Sequence, residues 1–359
     1  MAETKIGYEI DFLPVGNGSR NGDAIAVRYG IPGNYKVMVF DGGTKESGAA
    51  LVEHIKKYYK TDHVDYVVNT HPDADHASGL LVILENLSVG ELWLHRPWEH
   101  SKKIRDAFKD GRITDNSLSE RLKDALNHAC ALEKFAIDND IPIYEPFQGA
   151  KIGEFIVLSP SKKQYQELIP EFNKSPEQKE AGLLGKIAKS ISEAVNYIIE
   201  EKWDLETLSN SAETSGENES SVILYGNIDG RGILLTGDAG AKALTWAADY
   251  SDSCGINLAE CRFVQVPHHG SRNNVTPSVL DRILGPKQDE KAPLKTTSFA
   301  SVSAKCETHP RRRVVNAFIR RGAKVIATKG STKHHYHNMD AREGWTTAEP
   351  LPFYQEVEE

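Results

Sequence analysis

Apolar positions along this chain switch repeatedly between a period of two and a helical period. Residues 8–13, 24–29 and 36–40 are short, rich in β-branched and aromatic side chains, and split by Gly/Pro/Asn turns, including Gly16-Asn17-Gly18-Ser19. That pattern predicts three successive strands. Residues 47–60 have the spacing of an amphipathic helix. Asp65 to Thr70 predicts a buried strand, followed by a turn crowded with His and Asp and by a helix from about Ser78. Glu91 to Leu94 predicts another strand. The middle of the chain differs: 101–139 and 161–205 are helical in pattern, the second broken near Pro170 and Pro176, with strands at 141–145 and 152–158 between them. Thr207 to Ser220 has no periodicity and reads as a loop or flexible linker. Strands are expected again at 222–226, 232–236, 262–266, 298–303 and 324–328, with helices at 240–250 and from Pro310. Strand–helix alternation in both halves predicts one α/β domain over 1–359, two halves packed sheet to sheet with helices outside. The helical stretches, about 99–140 and 161–206, are expected as insertions: structural padding, a lid, or a docking surface for a protein partner.

Composition narrows the setting. A net charge of −8 argues against a globally basic nucleic-acid coat, though not against a local basic groove. Cys130, Cys254, Cys261 and Cys306 form no C-x-x-C pair, so a reducing compartment is expected. Met1 to Lys5 lacks the apolar core of a signal peptide, and no apolar run approaches the ~20 residues that span a bilayer. A cytoplasmic protein with no membrane segment is the expectation.

The chemistry concentrates at strand ends. His71, Asp73, Asp75 and His76 crowd the turn between a buried strand and a helix. Four ligand-type residues in one turn beside apolar neighbours are costly to hold together without a cation, because the carboxylates repel and lose solvent. In an extended loop His71 and Asp73 would serve one site, Asp75 and His76 a neighbouring one. Two more strands end in ligand types: Leu234-Leu235-Thr236-Gly237-Asp238 and Val264-Gln265-Val266-Pro267-His268-His269. Each is weak alone. Three strand ends together favour a metal cluster.

In order along the chain, His71-x-Asp73-x-Asp75-His76, Gly237-Asp238 and His268-His269-Gly270-Ser271 resemble the metallo-β-lactamase superfamily. Val15-Gly16-Asn17-Gly18, Gly22-Asp23-Ala24-Ile25, Phe40-Asp41-Gly42-Gly43, Leu158-Ser159-Pro160, Asn218 to Ser221 and His309-Pro310 are similar to its ComEC-like branch, which holds the nuclease domain of a DNA-uptake channel. The resemblance covers roughly residues 8–330 outside the insertions. It implies an αββα sandwich with one or two divalent ions, Mn or Zn, at the sheet edges. By position, His71 and Asp73 would bind one ion, Asp75, His76 and His268 the second, and Asp238 both; Asp41, His269 and Ser271 would support ligands or substrate. Asp73 stands where the family has His, and the third His of its pattern is not evident at Leu158-Ser159-Pro160. His95, after a strand, is the nearest candidate for it. A site so poor in imidazole would be harder, favouring oxygen-loving ions.

The expected function is a metal-dependent hydrolase using a metal-bound hydroxide, most simply a phosphodiesterase or nuclease acting on nucleic acid. Asp73, Asp75, Asp238 and His309 are its candidate catalytic residues. His309-Pro310-Arg311-Arg312-Arg313 would place three arginines in the first turn of a helix, against the helix dipole unless a phosphate sits there. An acyl hydrolase (lactonase, thioesterase or β-lactamase-like) and a non-catalytic binding platform are the alternatives. Lys333-His334-His335-Tyr336-His337 is expected as an exposed tail, with metal binding the second reading.

Overall fold

The computed structural model describes residues 5–16, 22–176 and 198–358. The expected turn at 17–19 and the second insertion between 177 and 197 lie outside the described residues.

Among the described residues, two seven-stranded sheets face each other. The first has the order β15-β1-β2-β3-β4-β5-β6, built from β1 (Gly7–Phe12), β2 (Ala24–Ile31), β3 (Asn34–Gly42), β4 (His63–Val68), β5 (Ser88–Trp93), β6 (Ile143–Tyr144) and β15 (Lys333–His337). The second has the order β14-β13-β12-β11-β10-β8-β7, from β7 (Lys151–Ile152), β8 (Phe155–Ser159), β10 (Ile223–Ile228), β11 (Arg231–Leu235), β12 (Cys261–Val264), β13 (Thr296–Ala300) and β14 (Ala323–Ala327). A small ladder pairs β9 (Ile198–Glu200) with β16 (Glu356–Glu358). Strands β3 to β6 run parallel, as do β11 to β14.

Side-chain alternation builds the layers. Tyr8, Ile10 and Phe12 of β1 and Met38 and Phe40 of β3 meet Val157, Leu224, Phe263 and Phe299 between the sheets. Val37 and Val39 point the other way, onto helices Lys45–His54 and Ala74–Asn86. The second sheet buries its other face under helices Ala241–Ser253, Pro277–Leu284 and Arg312–Arg320. The αββα sandwich is thus the observed fold. The first helical stretch forms Asp115–Ala125 and Asn127–Asp138, whose Leu118, Leu122, Ala129, Leu132 and Ala136 join the outer core of the first sheet. Among the described residues no helix is long and apolar enough to cross a membrane.

Several expectations change. The helix after the His/Asp turn begins at Ala74, not Ser78, with Asp73 as its extended cap, so Asp75 and His76 lie in a first helical turn and do not alternate as in a loop. Among the described residues of the second helical stretch, Lys162–Leu168 is a helix with a short continuation, and the end of the stretch, Ile198–Glu200, is a strand. The aperiodic run after Thr207 closes in a helical turn, Gly216–Glu219, because Ser215 caps it and the Glu219 carboxylate accepts from Ala243 N at the next helix start. The last long helix starts at Arg312 rather than Pro310, since Arg311 N bonds to Gly270 O and holds the preceding residues extended.

The histidine-rich segment is not a tail. It forms β15 and pairs antiparallel with β1, His334 opposite Asp11. The polar positions of β1, Glu9 and Asp11, are buried on the helix side. Arg342 bonds Asp11 at 2.7 and 2.8 Å and Glu9 at 2.6 Å, Arg28 pairs with Glu9, Tyr59 donates to Asp11 at 2.7 Å, and His334 meets Glu9 at 2.9 Å. Glu9, Asp11 and His334 are close enough to form a ligand trio, but two guanidiniums already neutralise the two carboxylates.

Candidate metal centre

The centre forms where the parallel strands of both sheets end. Asp41, at the end of β3, has φ +58°, a left-handed backbone rare outside glycine. Its Oδ1 accepts from Thr70 N at 2.8 Å. Its Oδ2 accepts from Thr70 Oγ1 at 2.6 Å and lies 2.8 Å from His76 Nδ1. Because the Thr70 hydroxyl donates to Asp41, it is left to accept from His71 Nδ1, 2.8 Å away. One carboxylate therefore fixes two imidazoles, His76 directly and His71 through Thr70. Both are held with Nε2 free, the arrangement that metal-bound histidines use. The helix carrying His76 sits against this strand end by backbone contact: a Cβ on Gly79 would fall 2.0 Å from Gly42 O.

The second sheet supplies the rest. Asp238 follows β11 after Gly237, φ +51°, and His268 and His269 follow β12 with φ +44° and +59°. Two successive left-handed residues break strand alternation, so both rings turn to the same side. Asp238 Oδ2 lies 3.3 Å from His76 Nε2, 3.5 Å from His269 Nε2, 3.6 Å from His268 Nε2 and 4.0 Å from His71 Nε2. His268 Nδ1 donates to Asn274 Oδ1 at 2.8 Å, and Asn274 Nδ2 donates back to Asp238 O at 2.9 Å. His269 Nδ1 is buried without a hydrogen bond. By the orientation of the ring's other nitrogen, His71, His76 and His268 are built as ligands more completely than His269.

The electrostatics match that geometry. Burial alone would raise the Asp238 carboxyl, but the imidazoles of His269, His268 and His76 hold it well below the usual carboxylate range. Burial would lower His76, and the Asp238 and Asp41 carboxylates raise it well above the ordinary imidazole value. The cluster thus stabilises positive charge around a buried carboxylate. One divalent cation supplies that charge without protonating the rings, and it competes with those protons. His71 Nε2, His76 Nε2 and Asp238 Oδ1 are buried with no well-directed hydrogen bond, as open ligand positions would be. The donor set fits a divalent metal.

Other expected residues fall around this core. Asp73 is on the rim, 3.7 Å from His71 Nε2 and partly exposed. Asp75, in the first helical turn, makes no ion pair with the cluster, and its backbone lies against Gly22. Ser271 accepts from Asn273 N. Burial, with the His269 ring and the Arg311 guanidinium nearby, pushes His309 down to about 4. The three arginines part company: Arg312 reaches Glu356 O and stacks on Tyr354, and buried Arg313 reaches Thr207 O. Of the three, Arg311 is the one set beside His309. His95 is no ligand; it is stacked on Tyr165 at 4.1 Å, with burial pushing its pKa down to about 3. Four imidazoles meet Asp238, so the site is richer in nitrogen than the sequence suggested. His269 as a ring of the cluster, and the supporting Thr70, Gln265 and Asn274, went unrecognised, and Asn218 was singled out only by the resemblance; for His269 the signal was the doubled His-His.

The family model of the metallo-beta-lactamase superfamily matches residues 18–146. No curated protein sequence matches the chain. Among solved structures, the metallo-beta-lactamase fold protein YhfI from Bacillus subtilis is 8% identical, covering 92% of this chain and 100% of that one at a TM-score of 0.40. Unliganded yeast PDE1 is 10% identical, covering 91% and 99% at a TM-score of 0.43. A diphosphatase of the PhnP family is 10% identical, covering 92% and 98% at a TM-score of 0.38. Likeness at this level adds nothing about activity. The family match contains Asp41 and the whole His71 to His76 turn, and with the two-sheet sandwich and its strand-end cluster it supports placing this chain in the metallo-β-lactamase superfamily.

Proposed function

We propose that the protein is a metal-dependent phosphodiesterase acting on nucleic acid, in keeping with the ComEC-like character of its motifs. The observation that carries the hydrolytic reading is the convergence of four imidazole Nε2 atoms within 4.0 Å of Asp238 Oδ2. His71, His76, His268 and Asp238 would hold the metal, with His269 as the fourth ring of the cluster and Asp73 at its margin. Zn²⁺ and Mn²⁺ both suit such a set, and the imidazole count favours Zn²⁺. When bound, a divalent ion supplies activation of water near neutral pH and stabilisation of developing negative charge. The protein's own groups do the rest. Asp41 and Thr70 keep two rings in one tautomer. His309, uncharged at neutral pH, offers a hydrogen bond at the rim, and Arg311 beside it offers a guanidinium to a phosphate oxygen.

The test is hydrolysis of single- and double-stranded DNA, RNA, cyclic dinucleotides and a lactone panel, each with Mn²⁺, Mg²⁺ and Zn²⁺. Phosphodiester cleavage is expected; lactone turnover with no phosphodiester cleavage would make it an acyl hydrolase. Arg311→Ala should weaken binding of single-stranded DNA and flatten its salt dependence by about 0.7 in log–log slope, the loss of one phosphate contact. Arg312→Ala should change neither. His309→Ala should lower kcat more than it raises KM. Equal salt slopes for wild type and Arg311→Ala would remove Arg311 from the phosphate path.

A further inference from the structure

Behind the cluster a buried hydrogen-bond chain joins the two sheets. Asp23, just before β2, is 1% exposed, and Gln265, just after β12, is 0% exposed. Gln265 Nε2 donates to Asp23 Oδ2 at 2.7 Å across 242 positions of sequence. Gln265 Oε1 accepts from Thr236 N at 2.9 Å and from Gly237 N at 3.1 Å. These are the two residues that lead into Asp238. The amide is fully committed: its oxygen takes two backbone N–H groups, so its nitrogen must face an acceptor, and Asp23 is that acceptor. Without an acceptor there, the Gln265 N–H₂ would be buried unpaired, and the side chain that receives both N–H groups would lose its anchor. The left-handed Gly237 turn would then lose what holds it. Asp23 also lies close enough to His269 for each to act on the other's charge.

We propose that Asp23 is a positioning residue for Asp238: acting through Gln265, it fixes the Thr236–Gly237 backbone and hence the place of the Asp238 carboxylate among the four imidazoles. This rests on the reading of that cluster as a metal centre. The positioning effect of Asp23 passes through the Gln265 amide, alongside its charge interaction with His269. Partners of this kind typically contribute 10–100-fold to metal affinity.

The chemistry of the contact allows a reversal. Gln265→Met keeps the side chain's length and removes both donor and acceptor, leaving Thr236 N and Gly237 N without their acceptor and Asp23 Oδ2 without this donor. Asp23→Asn with Gln265→Glu restores the chain in the opposite sense: the new carboxylate accepts from both N–H groups with one oxygen and from the new amide with the other. Net charge is unchanged.

The measurement is Zn²⁺ affinity of metal-stripped full-length protein by chelator competition, with the visible spectrum of the Co²⁺ form and the melting of the metal-free protein alongside. Gln265→Met should bind Zn²⁺ about 10–100-fold more weakly and shift the Co²⁺ bands. The double variant should return to within about fivefold of wild type, inside the range of one such contact, with the wild-type Co²⁺ spectrum. Wild-type affinity in Gln265→Met, or a folded double variant no tighter than Gln265→Met, overturns the relay. If Gln265→Met does not fold, the double variant decides: affinity within that fivefold supports the relay, and a greater loss overturns it. Wild-type protein that takes up no Zn²⁺ contradicts the metal centre itself, whereas uptake unchanged by Gln265→Met contradicts only the relay.

Discussion

Asp238→Asn should cost the enzyme about 10³-fold or more in kcat while leaving the melting temperature of the metal-free protein near that of wild type. The substitution keeps the shape of the side chain and removes its charge. Asp238 Oδ2 is the point on which four imidazoles converge, and Oδ1 is buried with no hydrogen bond to lose. What disappears is the anionic ligand that ties the first sheet's His71 and His76 to the second sheet's His268. Metal assistance to hydrolysis amounts to several kcal/mol of transition-state stabilisation, and each 1.36 kcal/mol is tenfold in rate. Turnover within tenfold of wild type would place the chemistry elsewhere. The metal-free fold should survive the change, because the imidazoles that compensate this carboxylate can give up their protons when it is neutralised.

Arg342→Ala should destabilise the fold by about 3–5 kcal/mol at pH 7, the usual result of removing one partner from a buried ion pair. Its guanidinium answers both Glu9 and Asp11, which are 1% and 0% exposed. Burial would raise the Asp11 carboxyl, but His54 and Arg342 outweigh it and hold it down to about 2. A depressed carboxylate contributes stability that is complete above its unfolded value near ~4 and is lost as pH falls through the folded value. The wild type should therefore lose this contribution between about pH 4 and pH 2. In Arg342→Ala protonation relieves an uncompensated charge, so the gap between the two proteins should narrow on acidification. Urea midpoints measured from pH 7 to pH 3 check this; a gap that is constant or widens would mean that Arg342 acts by packing on Tyr58 and Trp345, over which it also lies.

The parts of this molecule that could be read in the sequence are those written in a local pattern. Tyr8, Ile10 and Phe12 alternate with Glu9 and Asp11, and β1 followed. His71 to His76, Asp238 and His268 each close a strand, which brought them to one edge once the sheets were paired. Other features depend on contacts that no local period records. β15 has no apolar alternation in Lys333-His334-His335-Tyr336-His337, and it is a strand because its polar side completes the Glu9–Asp11 network. Asp23 and Gln265 are 242 positions apart and meet only across the sandwich. His269 was placed among the supporting residues by the resemblance; two left-handed residues in succession turn its ring into the cluster beside His268. The arginines were expected to share one phosphate, but carbonyl oxygens at Thr207 and Glu356 occupy two of them.

Elemental analysis tests the central claim most directly. Purified wild-type protein and the His76→Ala/Asp238→Ala double variant are each stripped with chelator, equilibrated with Zn²⁺ or Mn²⁺ and freed of excess ion. The cluster predicts at least one equivalent of bound metal in the wild type and none in the double variant, with both proteins folded. Full metal retention in the folded double variant, or no uptake by the wild type, would contradict the assignment of His71, His76, Asp238 and His268 as the centre of a metallohydrolase.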